Sequence, residues 1–171
     1  MIDLHNHMLW DWDDGPDDRP ETERMLRTAV EDGIRTIAVT PHLFRLTRYG
    51  NNLPLLRERM LAFKQAAAPF EIEVHWGAEV FIHPEIVETV EKYHFTLDDT
   101  CYVFIELPAE IVPAGVENMI SGLMGRGFIP VISHPERNAG FQERPDLLYH
   151  FVGMGCAAQL TAGSLTGDFG R

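Results

Sequence analysis

Residues 102–133 read YVFIELPAEIVPAGVENMISGLMGRGFIPVIS. The apolar run Tyr102–Leu107 has the length and β-rich composition of a buried strand. Pro113 then opens a segment with Val116, Met119, Ile120 and Leu123 at helical spacing, and Gly127 stops it. Phe128–Ser133 is again an apolar run. A strand, a helix and a strand joined by connections this short give two parallel strands with the helix crossing over. Both strands are apolar on both sides, as expected where each face of a sheet is covered.

The same unit recurs on either side. Toward the N-terminus the spacing predicts strands over Met1–Met8, Arg35–Thr40 and Glu71–Trp76, the last ending in Gly77-Ala78-Glu79. Between them lie helices from Pro20 to Gly33 and over Pro54–Ala68, with a short helix over about Pro84–Lys92. Asp17 or Asp18 is placed to cap the first helix. Toward the C-terminus, Pro145–Gly155 reads as a helix and Ala157–Thr161 as a sixth strand, before a Gly-rich polar tail over 162–171. No linker or composition shift divides the chain, so residues 1–171 read as one α/β domain. An open doubly wound sheet and a barrel both fit this alternation. The glycine fingerprints of dinucleotide and P-loop sites are missing, which counts against nucleotide-binding versions.

Composition narrows the function classes. The chain has 171 residues and a net charge of −12, which disfavours nucleic-acid backbones and anionic membranes as partners. Eight histidines against two lysines, Lys64 and Lys92, is an unusual ratio. Bound divalent cations would let so acidic a chain hold an anion. Cys101 and Cys156 form no C-x-x-C and read as two buried thiols in a reducing compartment. No basic-apolar leader opens the sequence and no apolar run reaches membrane-spanning length, so a soluble cytoplasmic protein is expected.

The residues that carry chemistry fall at one end of the predicted strands. His5 and His7 lie on the first strand, Asp14 just after it, and His42 at the end of the second. Glu79 ends the third, Glu106 is late in the fourth, and His134 ends the fifth. Parallel strands bring their carboxyl ends to one face, so seven ligand-type residues spread over about 130 positions would meet there. Positions i and i+2 of a strand share a face, so His5 and His7 can hold one ion together. Imidazole with carboxylate suits Mn²⁺, Fe²⁺ or Zn²⁺. A carboxylate such as Glu79 can bridge two ions, and bridged ions about 3.5–4 Å apart can supply a hydroxide nucleophile at neutral pH.

Taken singly, each of these residues has a plainer explanation. An isolated H-x-H is weak, His42 after a proline suits a surface or capping histidine, and Glu79 could neighbour a helix cap. Asp11, Asp13 and Asp14 could form a solvated acidic turn. Glu106 is harder to dismiss, because a carboxylate in an apolar strand is costly unless paired or metal-bound. Arg137, three residues past His134, could bind a phosphoryl group or pair with Glu136. Trp10, Trp12 and Phe44 could wall an aromatic pocket or anchor a loop. His75, His83, His94 and His150 read as surface or core histidines.

As a set, Ile-Asp-Leu-His-Asn-His (2–7), Asp-Trp-Asp-Asp-Gly-Pro (11–16), Thr-Pro-His (40–42), Gly-Ala-Glu (77–79), Ile-Glu-Leu (105–107) and Ser-His-Pro-Glu-Arg (133–137) resemble the polymerase and histidinol phosphatase (PHP) superfamily. Within it the chain looks most like the bacterial manganese-dependent protein-tyrosine phosphatases of capsular and exopolysaccharide gene clusters. The resemblance implies a distorted PHP-type (β/α)7 barrel with a trinuclear site. It places His5, His7 and Glu79 on one ion, Glu79, Glu106 and His134 on a second, and Asp14 with His42 on the third. Two or three Mn²⁺ ions are the implied cofactor, with Fe²⁺ or Zn²⁺ as alternatives. Arg137 falls where the family binds phosphate, and Glu106 and His42 join it as candidates for catalysis.

The implied substrate is phosphotyrosine on the tail of a bacterial tyrosine kinase, with no nucleic acid and no membrane insertion; oligomer formation is open. The family's seventh strand carries a further Asp-x-His, so this sequence reads as a barrel truncated after the sixth strand, with two open edges. Two other functions compete. One is hydrolysis of histidinol phosphate or another phosphomonoester. The other is an inactive truncated domain that binds metal or a phosphopeptide without hydrolysis.

Overall fold

A computed structural model of the chain describes residues 1–45 and 47–168. The chain forms two compact units, Met1–Ala78 and Glu79–Arg171.

The first unit is built on a three-stranded parallel sheet of β1 (Ile2–Asn6), β2 (Thr36–Val39) and β4 (Glu73–Trp76), in the order β1-β2-β4. Helices α1 (Arg19–Glu31) and α2 (Leu53–Ala67) accompany it, and β3 (His42–Leu43) is a two-residue extended piece. Helix α1 starts where the sequence places its signals. Asp18 is the cap and accepts a hydrogen bond from the Glu21 amide at 2.8 Å, with Pro20 in the first turn. Asn52 caps α2 in the same way, accepting from the Leu55 amide at 3.2 Å. Leu26 and Ala29 of α1 and Phe63 of α2 are buried, as are Ile37, Ala38 and Val39 of β2. Burying a side chain of the size of Leu26 or Phe63 contributes about 1.5–3 kcal/mol.

Strand β1 is not the regular strand over Met1–Met8 that its pattern predicts. Its register with β2 slips between Asp3 and Asn6. The Asp3 side chain accepts from the His5 amide at 3.1 Å and from Asn6 Nδ2 at 3.2 Å, while Asn6 Nδ2 also donates to the Ala38 carbonyl at 3.1 Å. Within Asp-Leu-His-Asn-His, Asp3 and Asn6 therefore shape the backbone and leave the two imidazoles to project. Such irregularities re-aim side chains next to functional sites.

The second unit holds a parallel run of β5 (Glu79–Phe81), β6 (Tyr102–Glu106), β7 (Ile129–Ser133) and β8 (Ala157–Gln159). Helices α3 (Ile86–Tyr93), α4 (Val116–Gly125), α5 (Ala139–Glu143), α6 (Pro145–Met154) and α7 (Ala162–Thr166) complete it. Three departures from the sequence reading stand out. Glu79 begins a strand of its own instead of ending the third, because Gly77-Ala78 interrupts pairing after Trp76. Helix α5 is fixed by Asn138, whose side chain caps Phe141 and donates to the Pro108 and Ile111 carbonyls at 2.6 and 3.2 Å. Part of the expected polar tail is the short helix α7, while residues 169–171 lie outside the described ones. Among the described residues no helix is long and apolar enough to cross a membrane.

Candidate metal centre

In the first unit the loop after β1 folds back over the end of its own strand. Gly15 sits so close to His7 that a Cβ there would lie 2.0 Å from the His7 carbonyl oxygen. Only glycine allows that approach. The loop is stapled from the other side by Arg48. The Arg48 amide donates to the Trp12 carbonyl at 2.8 Å, and the Arg48 side chain pairs with Asp17. Trp12 is fully buried and donates its indole N–H to the His42 carbonyl at 3.0 Å, so it anchors the loop.

Four sequence-predicted ligands gather here. The Nε2 atoms of His5 and His7 are 3.3 Å apart. Two imidazole nitrogens at about 2.0–2.1 Å from one ion stand about 2.8–3.0 Å apart in octahedral and about 3.3–3.4 Å apart in tetrahedral geometry, so this spacing fits a shared cation. Asp14 Oδ1 lies 3.5 Å from His42 Nε2 and 3.7 Å from His7 Nδ1, and the His7 and His42 rings are 4.4 Å apart. One donor atom from each of His7, Asp14 and His42 falls within 4.8 Å of the other two.

Asp13 was not among the predicted ligands, and it is the buried member of the acidic loop. Its Oδ2 accepts from His7 Nδ1 at 3.1 Å and from the His42 amide at 2.8 Å; its Oδ1 accepts from the Gly15 amide at 3.0 Å. Burial pushes its carboxyl pKa up, but the His7 bond and charge and the two amides outweigh that and hold it below the ordinary value. Asp11 faces away from this cluster, toward Tyr49 and Arg59 at 2.8 and 2.6 Å. The three aspartates are therefore not a uniformly solvated turn.

In the second unit the ladder sets a further group. Glu79 pairs with Phe104 and Phe81 with Glu106, so Glu79 and Glu106 share one face of the sheet. Glu79 is fully buried and Glu106 is 7% exposed, and their carboxylates come within 4.8 Å of each other. His134 Nε2 reaches Glu79 Oε1 at 2.9 Å. Strand alternation alone would turn His134 away from Ser133 and Glu106. Its left-handed backbone, φ 32° and ψ 55°, reverses the chain just past β7 and brings the ring back. Glu136 is occupied elsewhere: its Oε1 accepts from the Thr161 amide at 3.0 Å and from Ser164 Oγ at 2.7 Å. Arg137 is exposed on the same short turn.

Each unit thus presents imidazole nitrogen beside carboxylate oxygen. Two buried carboxylates within 4.8 Å need a positive partner to offset their repulsion. The donor set of nitrogen and oxygen fits a divalent transition ion and gives no soft sulfur ligand. Cys156 is buried, with its thiol pushed up to about 11 by that burial, and Cys101 is only half-buried, which corrects the expectation of two buried thiols.

The profile of the family described as capsular polysaccharide synthesis, CpsB/CapC, matches residues 1–171. The chain belongs to this family. Among relatives in the CpsB/CapC group, tyrosine-protein phosphatase YwqE of Bacillus subtilis is 41% identical over 174 residues, covering 100% of this chain and 68% of that protein. Tyrosine-protein phosphatase CpsB of Streptococcus pneumoniae is 28% identical over 165 residues, covering 95% of this chain and 68% of the relative. The fold aligns with a TM-score of 0.90 and 41% identity to a chain from the crystal structures of YwqE and CpsB, described as unique metal-dependent tyrosine phosphatases. That alignment covers 100% of this chain and 70% of the other.

Proposed function

We propose that this chain is the metal-dependent protein-tyrosine phosphatase of its CpsB/CapC system, acting on phosphotyrosine in the tail of a tyrosine kinase that controls capsule or exopolysaccharide assembly. The observation that carries this reading is the His7–Asp14–His42 donor group, all within 4.8 Å, in a chain of this family. His5, His7, Asp14 and His42 from the first unit and Glu79, Glu106 and His134 from the second are the residues we assign to hold two or three ions. Mn²⁺ is the ion we favour, with Fe²⁺ or Zn²⁺ compatible with the same donors. When bound, such ions stabilise charge on phosphoryl oxygens and make water a nucleophile near neutral pH.

The remaining work falls to side chains. The Arg137 guanidinium binds the phosphoryl oxygens and offsets their growing charge in the transition state. Glu106 has a second carboxylate oxygen able to accept from the attacking water, and His42 would act through the ion held at its Nε2. We read the chain as a cytoplasmic domain of PHP type.

Phosphate release from a phosphotyrosine peptide with Mn²⁺, and again after chelation, tests the proposal. Turnover should depend on the ion, and Arg137→Ala should lower kcat/KM by about 10²–10³-fold, the size seen for a transition-state donor. Faster release from histidinol phosphate would reassign the substrate. Phosphopeptide binding without release would make this a binding domain.

A further inference from the structure

We propose that the buried Asp13 carboxylate is a positioning residue that sets the tautomer of His7, so that its imidazole offers Nε2 to a metal, and that fixes the backbone of His42 beside it. The inference rests on the metal-centre reading above and extends it to a residue outside the ligand set.

Asp13 and Asp14 are adjacent and chemically alike, but Asp13 is 3% exposed while the Asp14 side chain is 58% exposed. An ionised carboxylate only accepts hydrogen bonds. In the neutral ring, contact of Asp13 Oδ2 with His7 Nδ1 at 3.1 Å puts the single ring proton on Nδ1 and leaves a lone pair on Nε2. That Nε2 is the atom 3.3 Å from His5 Nε2. The same Oδ2 holds the His42 amide at 2.8 Å, and His42 Nε2 stands 3.5 Å from Asp14 Oδ1. One carboxylate thus ties the end of β1 to the start of β3. The Gly15 amide on Oδ1, together with the close approach of Gly15 to the His7 carbonyl, closes the loop around it. Asp14 cannot take this part: at 3.7 Å from His7 Nδ1 it is beyond hydrogen-bond range. Carboxylates behind metal-binding histidines fix ring orientation and raise ligand basicity, and their loss lowers metal affinity about 10–100-fold.

The test uses the metal-free, nitrogen-15-labelled chain, without any phosphate ester, so its result stands apart from phosphatase activity. Two-bond imidazole correlation spectra should show His7 with its proton on Nδ1. Asp13→Asn should shift His7 away from that tautomer and weaken Mn²⁺ binding in direct titration by about 10–100-fold. Asp14→Ala should weaken binding with the His7 tautomer unchanged. Wild-type His7 found with its proton on Nε2 would overturn the proposal. So would a folded Asp13→Asn chain, checked by circular dichroism, that keeps its Mn²⁺ affinity, or one that loses affinity with His7 unaltered. If Asp13→Asn does not fold, the wild-type spectrum alone decides.

Discussion

Asp11, Asp13 and Asp14 share one loop and one chemistry, yet their surroundings give them three jobs. Asp14 faces solvent beside His42, Asp13 is locked under His7, and Asp11 meets Tyr49 and Arg59. The backbone at Asp11 is left-handed, φ 52°, so its contacts hold a conformation that costs free energy. Tyr49 and the two arginines, Arg59 and Arg48, keep the Asp11 carboxyl below its ordinary pKa. A depressed carboxylate stabilises the fold fully above the unfolded value of about 3.9, and that stabilisation fades as pH falls through the lower folded value. The melting-temperature gap between wild type and Asp11→Asn should therefore be widest near neutral pH and close below about pH 4. A gap that is flat across this range would remove Asp11 as a charged latch. The sequence singles out Asp14 as a ligand candidate, but nothing in it separates Asp11 from Asp13. Burial separates them, and burial comes from the loop folding back on β1.

At the scale of elements, the existence of the longer strands and helices was readable because their apolar period spans several turns or a full strand. The pieces that escaped are short. β3 has two residues, α5 and α7 five each, too few to establish a period. β5 was merged with the strand before it because a Gly-Ala break between apolar runs leaves little trace in a pattern. Glu79 was still recognised as a ligand candidate, since its identity and its Gly-Ala context survive that error. Close packing is equally invisible in sequence. Gly122 of α4 faces Val87 of α3, and a Cβ there would lie 2.8 Å from Val87 Cγ2. Gly125 of the same helix meets nothing within 4 Å. Gly122→Ala should lower stability by about 1 kcal/mol net, overpacking against a stiff valine outweighing the gain in helix propensity. Gly125→Ala should raise it by about 0.5–1 kcal/mol. Urea denaturation of the pair checks both signs.

For the whole molecule, the charge of −12 and the buried carboxylates pull in one direction. Glu79 and Glu106 give up solvation without leaving the acidic chain, and a cation that binds only the folded state restores what they lose. Adding Mn²⁺ at 100 times its Kd should stabilise the fold by about 2.7 kcal/mol and raise Tm, with chelator reversing the change. A Tm indifferent to Mn²⁺ would separate these carboxylates from any ion. The turn at His134 sets a further bargain. That residue supplies an imidazole from a left-handed backbone immediately before a proline, a conformation that glycine would adopt with less strain. Any substitution that relaxed the turn would also discard the ring it aims. On the metal-centre reading, heat tolerance and ion binding are therefore rivals at this one position, and efforts to toughen the protein should leave it alone.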